Sequence, residues 1–200
     1  MKKTPQEFRR ENLKELFNKT LQARQIKLEP FDISVKESWN SDFTNVEMAI
    51  KETVEGLQHC REISGGKAKG FVDGMFKACH GQYVGGHPSL RNIKLIDYQV
   101  SPKFSKSKKT MGSDAETEVT LMVEVKDHGV AEFSCVSRSI LYSSFIATLE
   151  AFQFYINCDK AFGKIKLVLE DANARNRVDI AQLCMSELAM LTGVNTYGKQ

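Results

Sequence analysis

The 200-residue sequence contains no run of about 18 consecutive apolar residues, so no membrane-spanning helix is expected. Its opening stretch, "MKKTPQEFRRENLKEL", has lysines but no apolar segment behind them, and it does not read as a secretory signal. Charge of one sign is also missing. The net formal charge is +3, too small to name an anionic partner. Cys60, Cys79, Cys135, Cys158 and Cys184 are scattered, odd in number and form no C-x-x-C pair, so they read as free thiols of a reducing, cytoplasmic compartment. His59, His80, His87 and His128 include no His-x-His or His-x-x-x-His spacing, and no metal or other cofactor is expected. "ISGGKAKG" lacks the Gly-Lys-Ser/Thr ending of a phosphate loop. Lys103, Lys106, Lys108 and Lys109 have no interleaved aromatics or arginines, so this basic loop reads as solvated rather than as a nucleic-acid contact. His80 and His87 flank a glycine-rich linker and read as exposed. His128, Cys135 and Ser137 share one short strand and make no catalytic arrangement.

What is present is a pattern of alternation. Hydrophobic residues make up 42% of the chain, enough for one domain or two small ones. Residues 5–24 read as a helix with Phe8, Leu13, Leu16, Phe17 and Leu21 on one stripe. After Pro30 the period becomes two. Phe31, Ile33 and Val35 alternate with polar residues, as do Val46, Met48 and Ile50, and "LQHCREIS" makes a weaker third strand. The period then turns helical at Phe71, Val72, Met75, Phe76 and Cys79. A linker with Gly85, Gly86 and Pro88 follows, and the order starts again. "NIKLIDYQV", "AETEVTLMVEV" and "VAEFSCVS" are strand-like, and "SILYSSFIATLEAFQFYIN" is helical.

The chain therefore reads as an α+β protein with two strand-strand-strand-helix units in two layers, and extra helices at both ends. The expected boundaries are an N-terminal helix at 1–27, a duplicated domain at 28–157 (first unit 28–84, second 90–157), and a C-terminal extension at 158–200. In that extension "KIKLVLEDA" is open between strand and connection. "NRVDIAQLCMSELAMLTG" is a helix with Val178, Ile180, Ala181, Leu183, Cys184, Leu188 and Leu191 on its apolar side and Gly193 as its stop.

Three stretches carry a resemblance: "GKAKGFVDGMFKA" (66–78), "LIDYQV" through "MGSDAETEVTLMVEV" (95–125), and "FSCVSRSILYSSFIATLEAFQFYIN" (133–157). In order and spacing they resemble the C-terminal regulatory domain of alpha-isopropylmalate synthase and citramalate synthase. That family has a Gly-x-Gly-Pro-Val-Asp-Ala helix start, a Leu-Asp-Tyr strand, a Gly-x-Asp-Ala turn and a Gly-Val-Ser-x-Asp-Ile helix start. Gly70, Val72, Asp73, Asp97, Tyr98, Gly112, Asp114, Ala115, Val136, Ser137 and Ile140 match. Ala68, Phe71, Gly74, Cys135 and Ser139 depart from the pattern.

The resemblance implies a regulatory, non-catalytic homodimer that binds leucine, isoleucine or a related keto acid between its two units. It further implies a domain separate from the catalytic barrel, acting on a separate synthase. The expected effector site is Gly70, Val72, Asp73, Leu95, Asp97, Tyr98, Asp114, Ala115, Ser137 and Ile140. Two helix starts would face the effector carboxylate, an aspartate its ammonium, and Leu95, Tyr98, Ala115 and Ile140 its branched side chain. The alternative is a protein-interaction domain that kept this fold and lost the ligand.

Overall fold

The computed structural model describes residues 5–38, 40, 42–103 and 116–197. The elements run α1 (Pro5–Thr20), β1 (Lys27–Ser38), β2 (Phe43–Val54), β3 (Leu57–Ser64), α2 (Phe71–Tyr83), β4 (Ile93–Lys103), β5 (Glu116–Val125), β6 (Gly129–Ser137), α3 (Ile140–Ala174) and α4 (Val178–Thr192). Short 3-10 turns at Gln22–Arg24 and Pro88–Asn92 precede β1 and β4. The protein is thus α+β, with two three-stranded antiparallel sheets in the orders β1-β2-β3 and β4-β5-β6. Among the described residues no helix is long and apolar enough to cross a membrane.

The repetition extends to register. In the first sheet the β1–β2 ladder shifts between Pro30 and Asp32, opposite Ile50 and Ala49. In the second the β4–β5 ladder shifts between Leu95 and Asp97, opposite Val123 and Met122. Each bulge sits at the same place relative to the central strand. That equivalence matches Val46, Met48 and Ile50 with Val119, Leu121 and Val123, all of them buried. It also matches Ile63 with Phe133 across the next ladder, because they face Met48 and Leu121. A bulge adds one residue and re-aims its neighbours. Phe31 is the extra residue in β1. It does not share the buried face with Ile33 and Val35, as strict alternation predicts; it is 60% exposed, with the Lys51 ammonium 4.9 Å from its ring centre.

Helix α2 packs on β2 and β3, and α3 packs on β5 and β6. The two helices also pack on each other, with the Phe76 and Phe152 rings 4.9 Å apart. α3 reaches the first sheet as well, along β1. There the contact is polar and buried. The Ile26 N–H donates to Asn157 Oδ1 (2.9 Å), Asn157 Nδ2 donates to the Ile26 carbonyl (3.0 Å), and the Leu28 N–H donates to Gln153 Oε1 (2.8 Å). β1 is an edge strand, and unpaired edge groups that are buried cost free energy. Two amide side chains on the second unit's helix take the place of the missing strand.

Three sequence-based readings of the chain need correction. "KIKLVLEDA" is neither strand nor connection but the last part of α3, which runs without a break across the 157/158 boundary. Its Ile165 and Ala172 are buried and Leu169 half-buried, four and three residues apart, while Leu167 is exposed. The apparent alternation of Ile165, Leu167 and Leu169 is thus a helical stripe with one apolar residue off it. No breaker stops propagation after Ile156, and extending a formed helix is far easier than nucleating a new element. On α4 the buried residues are Ala181, Cys184, Glu187 and Leu191, whereas Val178 and Leu183 lie outward. Glu187 is accommodated because Lys19 Nζ lies 2.7 Å from its carboxylate. On α1, Leu13, Leu16, Phe17 and Leu21 are buried as expected, and Phe8 is exposed.

Replacing Asn157 by leucine keeps the apolar volume and removes both partners of Ile26. We expect a loss of about 2–5 kcal/mol, since a donor and an acceptor are left buried and unpaired. The urea midpoint checks it, and an unchanged midpoint would show that the amide does not hold the units together.

Candidate functional site

The sequence places the expected site where the two helix starts approach the seam between units. The structure brings three of those elements together. Phe71, the first residue of α2, meets Tyr98 of β4 edge to face, with ring centres 6.1 Å apart at 84°. The Tyr98 hydroxyl lies 3.2 Å from Ser144 Oγ in the first turns of α3, and that hydroxyl donates to the Ile140 carbonyl (2.6 Å). So the α2 start, the middle of β4 and the α3 start converge on one phenol. Phe71 stands where the resembled family has proline.

The remaining expected residues divide. Val72 is buried in the core and Leu95 is half-buried opposite Val123. Ile140 is 43% exposed beside the seam. Asp97 does not face the seam. It follows the bulge and precedes Tyr98, so alternation puts its side chain on the other face of the sheet. There it accepts from the Tyr98 N–H (2.8 Å) and from Gln99 Nε2 (3.3 Å). The Asp73 carboxylate is engaged locally, accepting from the Lys69 N–H (3.2 Å) and pairing with Lys77 Nζ (2.7 Å). Ser137 folds back on the α3 start. Its Oγ accepts from the Ser139 N–H (3.1 Å), donates to the Ser139 carbonyl (2.9 Å) and lies 2.6 Å from Ser143 Oγ. Asp114 and Ala115, with the turn beginning at Gly112, lie outside the described residues.

The two helix starts therefore differ chemically. α3 is capped from within, because Ser139 Oγ accepts from the Tyr142 N–H (3.2 Å). α2 begins at Gly70, which has no side chain to cap it. The α2 start thus lacks a side-chain cap but has the Asp73 carboxylate in its first turn, whereas the α3 start has a cap and no acidic residue there. Gly70 itself is extended, at φ −169°. A Cβ there would meet nothing within 4 Å, so neither conformation nor local space requires its glycine.

The glycines that matter for space are Gly65 and Gly74. A Cβ on Gly65 would lie 2.1 Å from the Gly74 carbonyl oxygen, and one on Gly74 would lie 2.5 Å from Val46 Cγ2. The backbones of the β3 exit and α2 touch directly. In the second unit the equivalent residues are Cys135 and Ser143, from the ladder register and the helix starts, so side chains stand there where the first unit has none. Burial pushes the Cys135 thiol up, so it is protonated at neutral pH and not a ready nucleophile.

Sequence reasoning missed three polar contacts. His87 is not an exposed linker residue; its Nδ1 is 3.1 Å from Asp159 Oδ2 on α3, with both side chains largely buried. Glu52, buried at the end of β2, is held by Arg61 Nε (2.6 Å) and by the Tyr83 hydroxyl (3.3 Å). The equivalent residue in the second unit is Val125. The Asn157–Ile26 pair is the third. Among the described residues no group of three or more His, Cys, Asp or Glu could hold a metal ion.

Fold and site together define a duplicated α+β module whose halves meet at an aromatic seam. A scan of protein-family models finds no match to the chain, and neither does a search of curated proteins.

Alanine at Gly74 pits a helix-propensity gain of about 1 kcal/mol against an overpacking cost of about 1–3 kcal/mol. Val46 is fully buried and stiff at χ1, so it yields little. We expect Gly74→Ala to be net destabilising by about 1 kcal/mol, and Val46→Ala to be less harmful in that background than alone. Chemical denaturation of the single and double variants measures the coupling. Strict additivity would mean that the close contact is not felt.

Proposed function

We propose that this protein is a non-catalytic regulatory module that binds a small branched-chain amino acid or its keto acid at the seam between its units, dimerises, and acts on a separate acyl-transfer synthase. The reading follows the resemblance to the regulatory domain of alpha-isopropylmalate synthase. The observation that carries it is the convergence of Phe71, Tyr98 and Ser144, which puts the α2 start, β4 and the α3 start around one point. A carboxylate has a suitable partner in the α2 start, which Gly70 leaves without a side-chain cap. Tyr98 offers a ring face and a hydroxyl, and Ile140 an exposed apolar side chain. The ammonium partner in this reading is a backbone carbonyl or Asp114, because Asp97 points to the other face and Asp73 is paired with Lys77. The dimer follows from the resemblance; exposed apolar side chains at Leu167, Leu183 and Met185 on α3 and α4 are surface that a second chain would cover.

One observation favours a second reading, an interaction domain without a ligand. Phe71 replaces the family's proline, and its ring already occupies the approach to Tyr98.

Titration calorimetry with leucine, isoleucine, valine and the corresponding 2-keto acids separates the two. The regulatory reading expects saturable heat with at least one member at millimolar concentration or below, and a change of affinity in Phe71→Ala. No heat across the panel, in the parent chain and in Phe71→Ala alike, sinks it. Light scattering at twice the chain mass is expected alongside, and a monomer would remove the dimer.

A further inference from the structure

A cavity lies apart from the seam. It has a volume of about 220 Å3 and sits where α1, the β5–β6 hairpin, α3 and the turn after α4 meet. Its lining includes Val130 from β6 and Phe154 and Tyr155 from α3, both aromatics being buried. Its other wall is polar and carries both signs of charge. Arg9 and Arg10 line it from α1, Glu132 from β6, and His128, against the Thr196 hydroxyl, from the hairpin.

Each guanidinium has a contact that ties it to the protein at the cavity rim. Arg9 Nη1 donates to the Gly193 carbonyl (3.1 Å). Arg10 donates to the Glu132 carbonyl and lies over the Phe133 ring, 4.3 Å from its centre. A guanidinium offers five N–H donors in a rigid fork, so one carbonyl leaves Arg9 with donors for a carboxylate. Preorganised charge against an apolar floor suits a ligand with one anionic end and a short hydrocarbon body. A bare phosphate suits it less, since phosphate is anionic on every side and the floor is aromatic and aliphatic. The volume is below the roughly 300 Å3 at which pockets for drug-sized molecules begin, which limits the occupant to a few carbons.

We propose that this cavity is a binding site for small aliphatic monocarboxylates, independent of the seam. The β6 lining residue nearest the seam, Ser134, is three residues from Ser137, about 10 Å along the strand, and no residue of the Phe71–Tyr98–Ser144 convergence lines the cavity. The walls come from four segments, and two of them, α1 and the turn at Gly193, lie outside the duplicated units. An occupant therefore ties both ends of the chain to the second unit and stabilises the folded state by linkage.

Isovalerate is the probe, followed by titration calorimetry and by the thermal midpoint. A ligand of this size reaches a Kd of about 1 mM. The site expects isovaleramide and inorganic phosphate each to bind at least about tenfold more weakly, because one lacks the charge and the other the body. Arg9→Gln is expected to weaken isovalerate by about tenfold or more with the circular dichroism unchanged. Ala131→Leu, which fills the cavity from its β6 wall, is expected to abolish binding while leaving the arginines in place. No isovalerate binding, equal binding of the amide or of phosphate, or full affinity in both variants would overturn the proposal. Full affinity in both variants together with loss in Phe71→Ala would place the occupant at the seam instead.

Discussion

One side chain decides how the two halves of this protein are joined. Asn157 is buried in the most apolar stretch of α3, yet it satisfies both backbone groups of Ile26, the residue just ahead of edge strand β1. Few side chains can do this. A carboxylate or hydroxyl lacks the amide's arrangement of a carbonyl acceptor beside an N–H donor, which matches a peptide group reaching across a ladder. Because α3 is rigid and 35 residues long, fixing one point on it fixes the rest. Ser144 lies thirteen residues earlier, about 20 Å along the axis. The position of Ser144, and of Tyr98 hydrogen-bonded to it, is therefore set partly by a contact with the first unit. The seam at Phe71 is the far end of the same join.

The units share their bulges and ladders but differ where chemistry is concentrated. Glu52 stands where the second unit has Val125, and it requires Arg61 and Tyr83 to be tolerated in the core. Gly65 and Gly74 allow backbone contact where the second unit has the side chains of Cys135 and Ser143. The first helix start is uncapped by its own glycine; the second is capped by Ser139. A duplicated scaffold with unequal halves has one seam with two unlike walls.

Much of the fold was legible because it rests on periodicity. Val46, Met48 and Ile50 alternate cleanly, and so do Val119, Leu121, Val123 and Val125, since one face of each central strand is wholly buried. The end of α3 was harder, because Ile165, Leu167 and Leu169 satisfy a two-residue period and a helix at once. The bulges carried little local signal: Pro30 marks the first as an edge or a bulge, and nothing marks the second. Phe31 and Ile96 are ordinary strand residues, and only the pairing shows them as insertions. Within the site, Tyr98 and Ile140 could be placed near the seam, but Asp97 could not be assigned a face, since one extra residue reverses every side chain after it. A signal for Asn157 was present, as an amide after the apolar run Phe154-Tyr155-Ile156. Buried polar residues among such neighbours need a partner, though a sequence cannot say that the partner is the backbone of Ile26.

The chain ends extend the same logic. The segment after α4 is bound to the second unit by several polar contacts. Asn195 Nδ2 donates to the Ser89 carbonyl, Asn92 Nδ2 to the Thr196 carbonyl, and His128 lies against the Thr196 hydroxyl. Tyr197 stacks on Phe162 with ring centres 4.2 Å apart, and Arg9 of α1 reaches the turn at Gly193. Individually these are modest, and each is only as strong as the order of the segment that presents it. Together they lay both ends of the chain over the hairpin end of the second sheet. The seam is governed by the contact between units, whereas the arginine-lined cavity is governed by how firmly the ends are held. A substitution that loosens α1 should therefore disturb the cavity before the seam, because no part of α1 contributes to the Phe71–Tyr98–Ser144 convergence.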